Sequence, residues 1–482
     1  MVKYFNYFSQ MDETWTGSHM AIDLSGQERL LEDGFVTIEI KKSHPLIQLA
    51  NVLPWMLLIE IVIKDLKTTT ENGFWWMGRK IKVRMHLAAY ILQRIYNLTD
   101  RKLEYQIKDN AAYQLFCGIN IVDGWHAPDH TKIEEFRSRL SPETQRTLTN
   151  ILAQTAVTLG FGDPREVDFD STVQEANISY PSDACLMTKL IGNAGKLLEY
   201  IRKNFDHLVS KNWRVDIKAV KEKAREYFFL AKNKAIEIKR KVFKELHQTV
   251  KKEMRPVVDL CESLTKRQLA NLPWNIRRAF DQIKSDAWRY LLDVGHFTRT
   301  HTIKAGKILS FHAKELACIK KGKLGKEFEF GRVFQLGRIK GNFIFVLESK
   351  TVGMNDKANF IPLIEEHVNL FGSGVLKTVA ADKGYWSMKN RQELIKREIF
   401  PGGLQKPSPV KVRDTELNLQ EHLRNRRAGI EPLIGHIKHG GQLRRSRMKS
   451  DQATLAAGYG SVLAMNLRQL IRHQQGKMNR VA

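Results

Sequence analysis

A mixed α/β fold, with helical segments before and within the sheet-forming part, is expected for this chain on three grounds. Residues Glu166–Val173 alternate in polarity and turn β-branched, which reads as a strand. Two apolar-aromatic runs, Phe328–Leu336 and Phe343–Ser349, read as a pair of further strands. Long stretches on either side carry apolar residues at helical spacing instead.

In chain order, residues 1–44 are mixed and polar and suggest no element. Residues 45–160 read as a helical amino-terminal domain. Tyr90, Ile91, Ile95 and Leu98 recur at helical spacing on a segment starting near Lys82. Leu98-Thr99-Asp100 then turns tightly into a further short helix. That pair is either a helix-turn-helix for DNA or an ordinary corner of a bundle. Thr131-x-x-Glu134 has the form of a capping box, and Ser141-Pro142 sets a cap before a proline at the first helical position.

After the strand at 166–173, residues 185–315 are helical again and very basic. Lys218–Arg255 alone holds 13 Lys or Arg against 5 acids, with Lys239, Arg240 and Lys241 consecutive. Such a run is either a solvated helix face or a track for backbone phosphates. The two aromatic strands follow, joined by a loose turn at Gly337–Asn342. Then come a helix at Ala358–Leu370, a strand at Val375–Ala381, a helix at Met388–Glu398, an extended stop at Ile399–Gly403 and a helix at Arg427–His439. Asp451–His473 reads as a last, amphipathic helix.

Without the basic block, the order is strand, strand, strand, helix, strand, helix, extended piece, helix. That is the order of an RNase H-like core, a mixed sheet with helices on both sides. The expected division is a segment 1–44, a helical domain 45–160, a core formed by 161–184 and 316–445, a helical insertion 185–315, and a C-terminal helix 446–482.

Composition narrows the partners. With 482 residues the chain has room for about three domains, and 43% apolar residues suit a globular protein. A formal charge of +26 and a pI near 9.8 favour a polyanion, nucleic acid first and an acidic membrane surface second. The cysteines Cys117, Cys185, Cys261 and Cys318 form no C-x-x-C pair, which argues against a zinc finger or a disulfide framework. The start of the chain does not read as a secretory signal. The most apolar stretch, Pro54–Ile63, is shorter than the roughly 20 residues a bilayer needs. A soluble, cytoplasmic protein is expected.

An RNase H-like core places acids on its first strand, at the end of its fourth and on its last helix. Those places hold Asp170, Asp382 and Glu431. Magnesium takes oxygen ligands and needs only one or two carboxylates besides water and phosphate. Two ions about 3.5–4 Å apart activate the attacking oxygen and stabilise the leaving one in phosphoryl displacement. Asp168, two residues before Asp170 on the same strand face, is the rival for the first ligand. Arg424, Arg427, Glu431 and Lys438 form R-x2-R-x3-E-x6-K, which sets cations around a carboxylate as a phosphodiester would require. Trp386 is a candidate for stacking a displaced base, a core or surface aromatic being the alternative. Gly322-Lys323-Leu324-Gly325-Lys326-Glu327 lacks the spacing and the Ser/Thr of a phosphate loop. His436-x-x-His439 has no Cys partners, so zinc is not expected there.

These motifs resemble those of bacterial insertion-sequence transposases with a DDE triad, in the broad superfamily that includes insertion sequences four and five. That family carries Y-x2-R-x3-E-x6-K around its last acid. This chain keeps Arg427, Glu431 and Lys438 and has Arg424 in the place of the Tyr. Asp382-Lys383-Gly384-Tyr385 and Asp170-Ser171-Thr172-Val173 match the family's other two acidic segments. The helical region Gly78–Leu140 looks like its amino-terminal domain. The resemblance implies metal-dependent hydrolysis and strand transfer at element ends, with magnesium (or manganese) held by Asp170, Asp382 and Glu431. It implies double-stranded DNA as the partner, both terminal inverted repeats and target, and a homodimer on DNA. The alternatives are a non-catalytic DNA-binding descendant of a transposase, or a metal-dependent nuclease without strand transfer.

Overall fold

The computed structural model describes residues 19–23, 35–71, 82–118, 127–178, 181–209, 214–230, 236–304, 306–311, 313, 316–323, 326–347, 355–404, 414–448 and 450–476. The chain divides into two compact units, one formed by 1–175 with 331–482 and the other by 176–330.

The first unit opens with an antiparallel pair, β1 (His19–Asp23) and β2 (Phe35–Glu39), in a segment for which the sequence suggested no element. Among the described residues, seven helices follow: α1 (Pro45–Val52), α2 (Trp55–Glu71), α3 (Val83–Tyr96), α4 (Asp100–Asp109), α5 (Ala111–Phe116), α6 (His130–Arg139) and α7 (Pro142–Thr158). Their starts are chemically marked. Thr99 Oγ1 accepts from the Lys102 amide at 3.3 Å, and Ser141 Oγ from the Thr144 amide at 3.1 Å. The capping box expected at Thr131 is absent. Asp129 caps α6 instead, accepting from the Thr131 and Lys132 amides at 2.8 and 2.9 Å. An aspartate one position before the helix competes successfully because its carboxylate bonds the first free amides and also meets the positive helix end.

The sheet is mixed, with helices on both faces, as expected of an RNase H-like core. β3 (Asp163–Glu175) runs antiparallel to β5 (Lys326–Lys340), which is antiparallel to β6 (Ile344–Leu347). On its other side β3 runs parallel to β7 (Thr378–Ala381). The turn between β5 and β6 is shorter than the sequence suggested. Gly337–Lys340 continue as strand, because Gly337 lets Phe345 lie directly over the backbone, where a Cβ would come within 2.2 Å of the ring. Gly341 and Asn342, both at positive φ, make the turn.

The helices in this part are α14 (Asp356–Phe371), α15 (Met388–Lys396), α16 (Asp414–Ala428), α17 (Ile430–His439) and α18 (Asp451–Gln474). One face of the sheet, with Val167, Phe169 and Phe345, shares a core with α14 and with the helices of residues 45–158. The other face, with Phe334 and Leu336, packs on Leu433 and Ile437 of α17 and Tyr459, Val462 and Met465 of α18. α18 was expected to be amphipathic, yet nearly every residue from Thr454 to Leu470 is buried. Small residues (Ala456, Ala457, Gly458, Gly460, Ser461, Ala464) let it be surrounded. Asn466 Oδ1 accepts from the Ile344 amide and Asn150 Oδ1 from the Val346 amide, both at 2.9 Å, completing the open edge of β6. No single helix among the described residues is long and apolar enough to cross a membrane.

The second unit is helical, as expected for 185–315: α8 (Asp183–Asn204), α9 (Ile217–Leu230), α10 (Ile236–Ser263), α11 (Lys266–Ala270), α12 (Trp274–Gln282) and α13 (Trp288–Thr300). They enclose their own core, including Leu190, Leu197, Leu246, Val250 and Tyr290. A strand the sequence did not suggest, β4 (Ala317–Lys323), pairs with β5. All four cysteines are free thiols.

Candidate functional site

The site grows from one strand and its parallel neighbour. Alternation along β3 turns Phe169 into the core and Asp168 and Asp170 to the opposite face. β7 runs beside it in a register that sets Ala381 against Phe169. The next residue along each strand is therefore Asp382 and Asp170. Asp382 leaves the strand to cap a short turn, Lys383–Tyr385, its carboxylate accepting from the Lys383 amide at 2.8 Å. Tyr385, fully buried, anchors that turn through a hydroxyl bond to Gln335.

The third acid arrives on a helix. The sequence suggested one helix over 427–439. The structure breaks it at Gly429 into α16 and α17: Pro432, in the first turn of α17, has no amide to donate back across the break, and Gly429 packs close to the Arg338 guanidinium. Glu431 sits in the first turn of α17 and Arg427 in the last turn of α16. The expected proximity survives the break. Arg427 reaches Glu431 at 3.4 Å and also Asp170 at 3.8 Å, so one guanidinium bridges two of the three acids.

The charges of Asp382 and Glu431 act on Asp170. Asp170 is pushed up to about 6, mainly by burial, with the Asp382 and Glu431 charges adding to the rise and the Ser171 amide and Arg427 opposing it. Asp382 and Glu431 stay exposed. A cleft of about 100 Å³ opens beside the group, lined by Asp382, Lys383, Gly403, Leu423, Arg424 and Arg427. Among the described residues no group of three His, Cys, Asp or Glu side chains is gathered closely enough to hold a metal ion by itself. In kind, the donors still fit magnesium: they are hard carboxylate oxygens, of which that ion needs one or two from protein. A cation, the Arg427 guanidinium, already lies between two of them.

Asp168 drops out as a rival ligand. It is 2% exposed, and both its oxygens are taken. Arg426 Nε donates to Oδ1 at 2.8 Å and Arg338 Nε to Oδ2 at 2.8 Å. Arg426 also reaches Glu166, Thr378 and the Val167 carbonyl, so it ties α16 to β3 and β7. Sequence reasoning missed Arg426 and Arg338. Arg426 is one more arginine in a basic helix, and its partner Asp168 lies 258 positions away. The pairing of Asp168 with Asp170 on one face was the only trace of it.

Of the remaining expected residues, Arg424 is exposed and 3.5 Å from Glu421 at the mouth of the cleft. Lys438 is half-buried two turns beyond Glu431 on α17. Trp386 is half-buried and packs against the main core. Lys239, Arg240 and Lys241 lie near the start of α10 in the second unit, Arg240 and Lys241 exposed and Lys239 half-buried.

Residues 36–139 match the family model described as a transposase domain, DUF772. The match overlaps the helical region Gly78–Leu140, where the sequence looks like a transposase amino-terminal domain. Over 196 residues the chain is also 25% identical to an uncharacterized protein, ORF8 in the nfe locus of Rhizobium meliloti, covering 39% of this chain and 90% of that protein. No solved structure matches the chain. The matched transposase segment spans β2 through α6 and includes the Asn97–Asp100 turn.

Proposed function

We propose that the chain is a DDE transposase of the superfamily that includes insertion sequences four and five, acting on the ends of its element and on target DNA. One observation carries the reading: Asp382 and Glu431 both raise the pKa of a half-buried Asp170, while Arg427 bridges Asp170 and Glu431. Carboxylates accumulated at a strand centre, a neighbouring strand end and a facing helix are costly unless a cation is to be shared among them.

In this reading Asp170, Asp382 and Glu431 hold magnesium, or manganese in its place, which when bound activates an attacking oxygen and stabilises the leaving one. The protein's own part is to place those oxygens and to bring the phosphodiester to them. Arg424 and Arg427 line the cleft from the α16 side, where a backbone phosphate meets two guanidiniums. Lys438 extends the cationic path along α17, and Arg426 and Arg338 fix the strand from which Asp170 projects. The α10 residues Lys239, Arg240 and Lys241 add sequence-independent affinity for DNA flanking the cut, and Trp386 stacks on a displaced base. Hydrolysis at the element end frees a 3′-hydroxyl, which then attacks target DNA, so one set of acids serves both steps. Two element ends imply a homodimer on DNA.

The test supplies element-end duplex, target DNA and magnesium to the purified protein. Wild type gives cleaved and joined products. Asp382→Ala retains end binding and loses both by more than 100-fold. Joining by Asp382→Ala at the wild-type rate overturns the proposal. Cleavage without joining by wild type favours the nuclease alternative, and end binding without either favours the non-catalytic one.

A further inference from the structure

A second cationic cleft lies in the same unit, at a place the acidic site does not use. It has a volume of about 190 Å³ between the turn joining α3 to α4 and the chain around Gly441–Met448. Arg94, Arg137 and Arg447 line it, with Asp100 the one acid. Gly441, Gly460 and Ser461 on the far wall keep it open. A Cβ on Gly460 would press on the Arg94 Cδ at 3.1 Å, and one on Gly441 would strike Ser461 Oγ at 2.5 Å.

The charges in this cleft do not balance. Asp100 is fully engaged by Arg137, through a two-pronged pair that includes a 3.0 Å bond from Nη2, and accepts from Gln93 at 2.6 Å. Arg94 therefore has no carboxylate of its own among the described residues. Its guanidinium lies 4.8 Å over the Tyr90 ring, Nη2 donates to Gln93 at 3.3 Å, and Nε is buried with no partner. A guanidinium partly withdrawn from water is expensive to keep charged, and the Tyr90 side chain, Gln93 and the shared charge of Asp100 return only part of its lost hydration. Burial accordingly holds Arg94 below its ordinary value. Arg447 stands exposed at the rim, its backbone amide fixed by Gln442 at 3.3 Å and its side chain unpaired among the described residues.

We propose that this cleft seats a phosphate group, with Arg94 as the half-buried cation and Arg447 as the rim cation that closes over it. Two guanidiniums in excess over the one engaged acid, opening into a pocket walled by glycine and serine, suit a tetrahedral anion. Arg is the side chain best shaped for phosphate oxygens. The α4 amino terminus, already capped by Thr99, adds its positive end to the same space. Resting on the DNA reading above, the first source of that phosphate is the backbone of duplex DNA. Three of the polar residues, Arg94, Asp100 and Arg137, fall within the matched transposase segment, whereas Arg447 comes from the C-terminal part. A bound phosphate therefore clamps the two stretches of chain together.

The test uses the exposed member, since Arg447→Gln removes a surface charge without touching the core. DNA affinity is measured across a salt series on duplexes of unrelated sequence, and thermal stability is measured with and without inorganic phosphate. The expected result is a salt slope reduced by about 1 in Arg447→Gln, equally for every duplex, with an unchanged melting temperature in phosphate-free buffer. Stabilisation of wild type but not Arg447→Gln by inorganic phosphate, with no change in slope, supports the seat and assigns it to free phosphate. Unchanged slope together with equal phosphate response in both proteins overturns the inference, even if wild type joins DNA ends. If wild type binds no DNA but shows the Arg447-dependent phosphate response, the seat stands and the transposase reading falls.

Discussion

Asp170 shows what burial, with two like charges nearby, costs one residue. Its carboxyl is held near 6 against an ordinary 3.8, so between those values the folded chain keeps a proton that the unfolded chain has released. Stability therefore falls as pH rises through that window, and the penalty is complete above about 6. Asp170→Asn should raise stability at pH 7 by about 1–3 kcal/mol, and the gain should vanish below about pH 4, where both proteins are neutral at this position. Melting curves at the two pH values check this, and a destabilised Asp170→Asn at pH 7 would contradict a carboxyl held up by burial and neighbouring acids. Asp168, two residues earlier, has the opposite fate: two guanidiniums satisfy its charge, and it is a strut. Neighbouring acids of one strand face thus differ in role through their partners alone.

At the scale of elements, the break between α16 and α17 governs the site. A continuous helix would carry Glu431 onward in the direction of α16. Gly429 lets the chain pass against Arg338, while Arg426 before the break holds Asp168 and Arg427 beside it reaches across to Glu431. Gly429→Ala should cost about 1–3 kcal/mol from overpacking and should reduce end cleavage by at least 10-fold by displacing Glu431. The pair of measurements is informative because a purely surface glycine would change neither. β6 is the second instructive element. Four residues long and at an open edge, it is held by amide side chains of α7 and α18, which supply the bonds a further strand would have made.

Across the whole molecule the net charge of +26 is the dominant property, and it bears on affinity and association rather than on fold. The exposed cations of α10 in the second unit are predicted to act as phosphate contacts. Replacing Arg240 and Lys241 together by Ala should lower the salt slope of DNA binding by about 2 and leave the melting temperature nearly unchanged. Measuring both quantities separates a DNA track from a merely solvated helix face, for which the slope would not move.

The strands at 166–173 and 328–336, the helices of 45–159 and the basic insertion were legible because each rests on local periodicity, and local periodicity follows from which face of an element meets the core. Asp170, Asp382 and Glu431 were expected from the element order of an RNase H-like core, and the structure sets the Arg427 guanidinium between two of them. The fate of α18 was not legible, since burial on all sides depends on what surrounds a helix and its small residues look merely permissive in sequence. Nor were the partners of Asp168, the break at Gly429 or the Arg94 cleft, all of which are contacts between residues far apart in the chain. The sequence by itself determined the kinds of element and the chemistry available to them. Only the tertiary structure decided which charges meet, because the energy of a charge is set by the neighbours and the water that folding brings or removes.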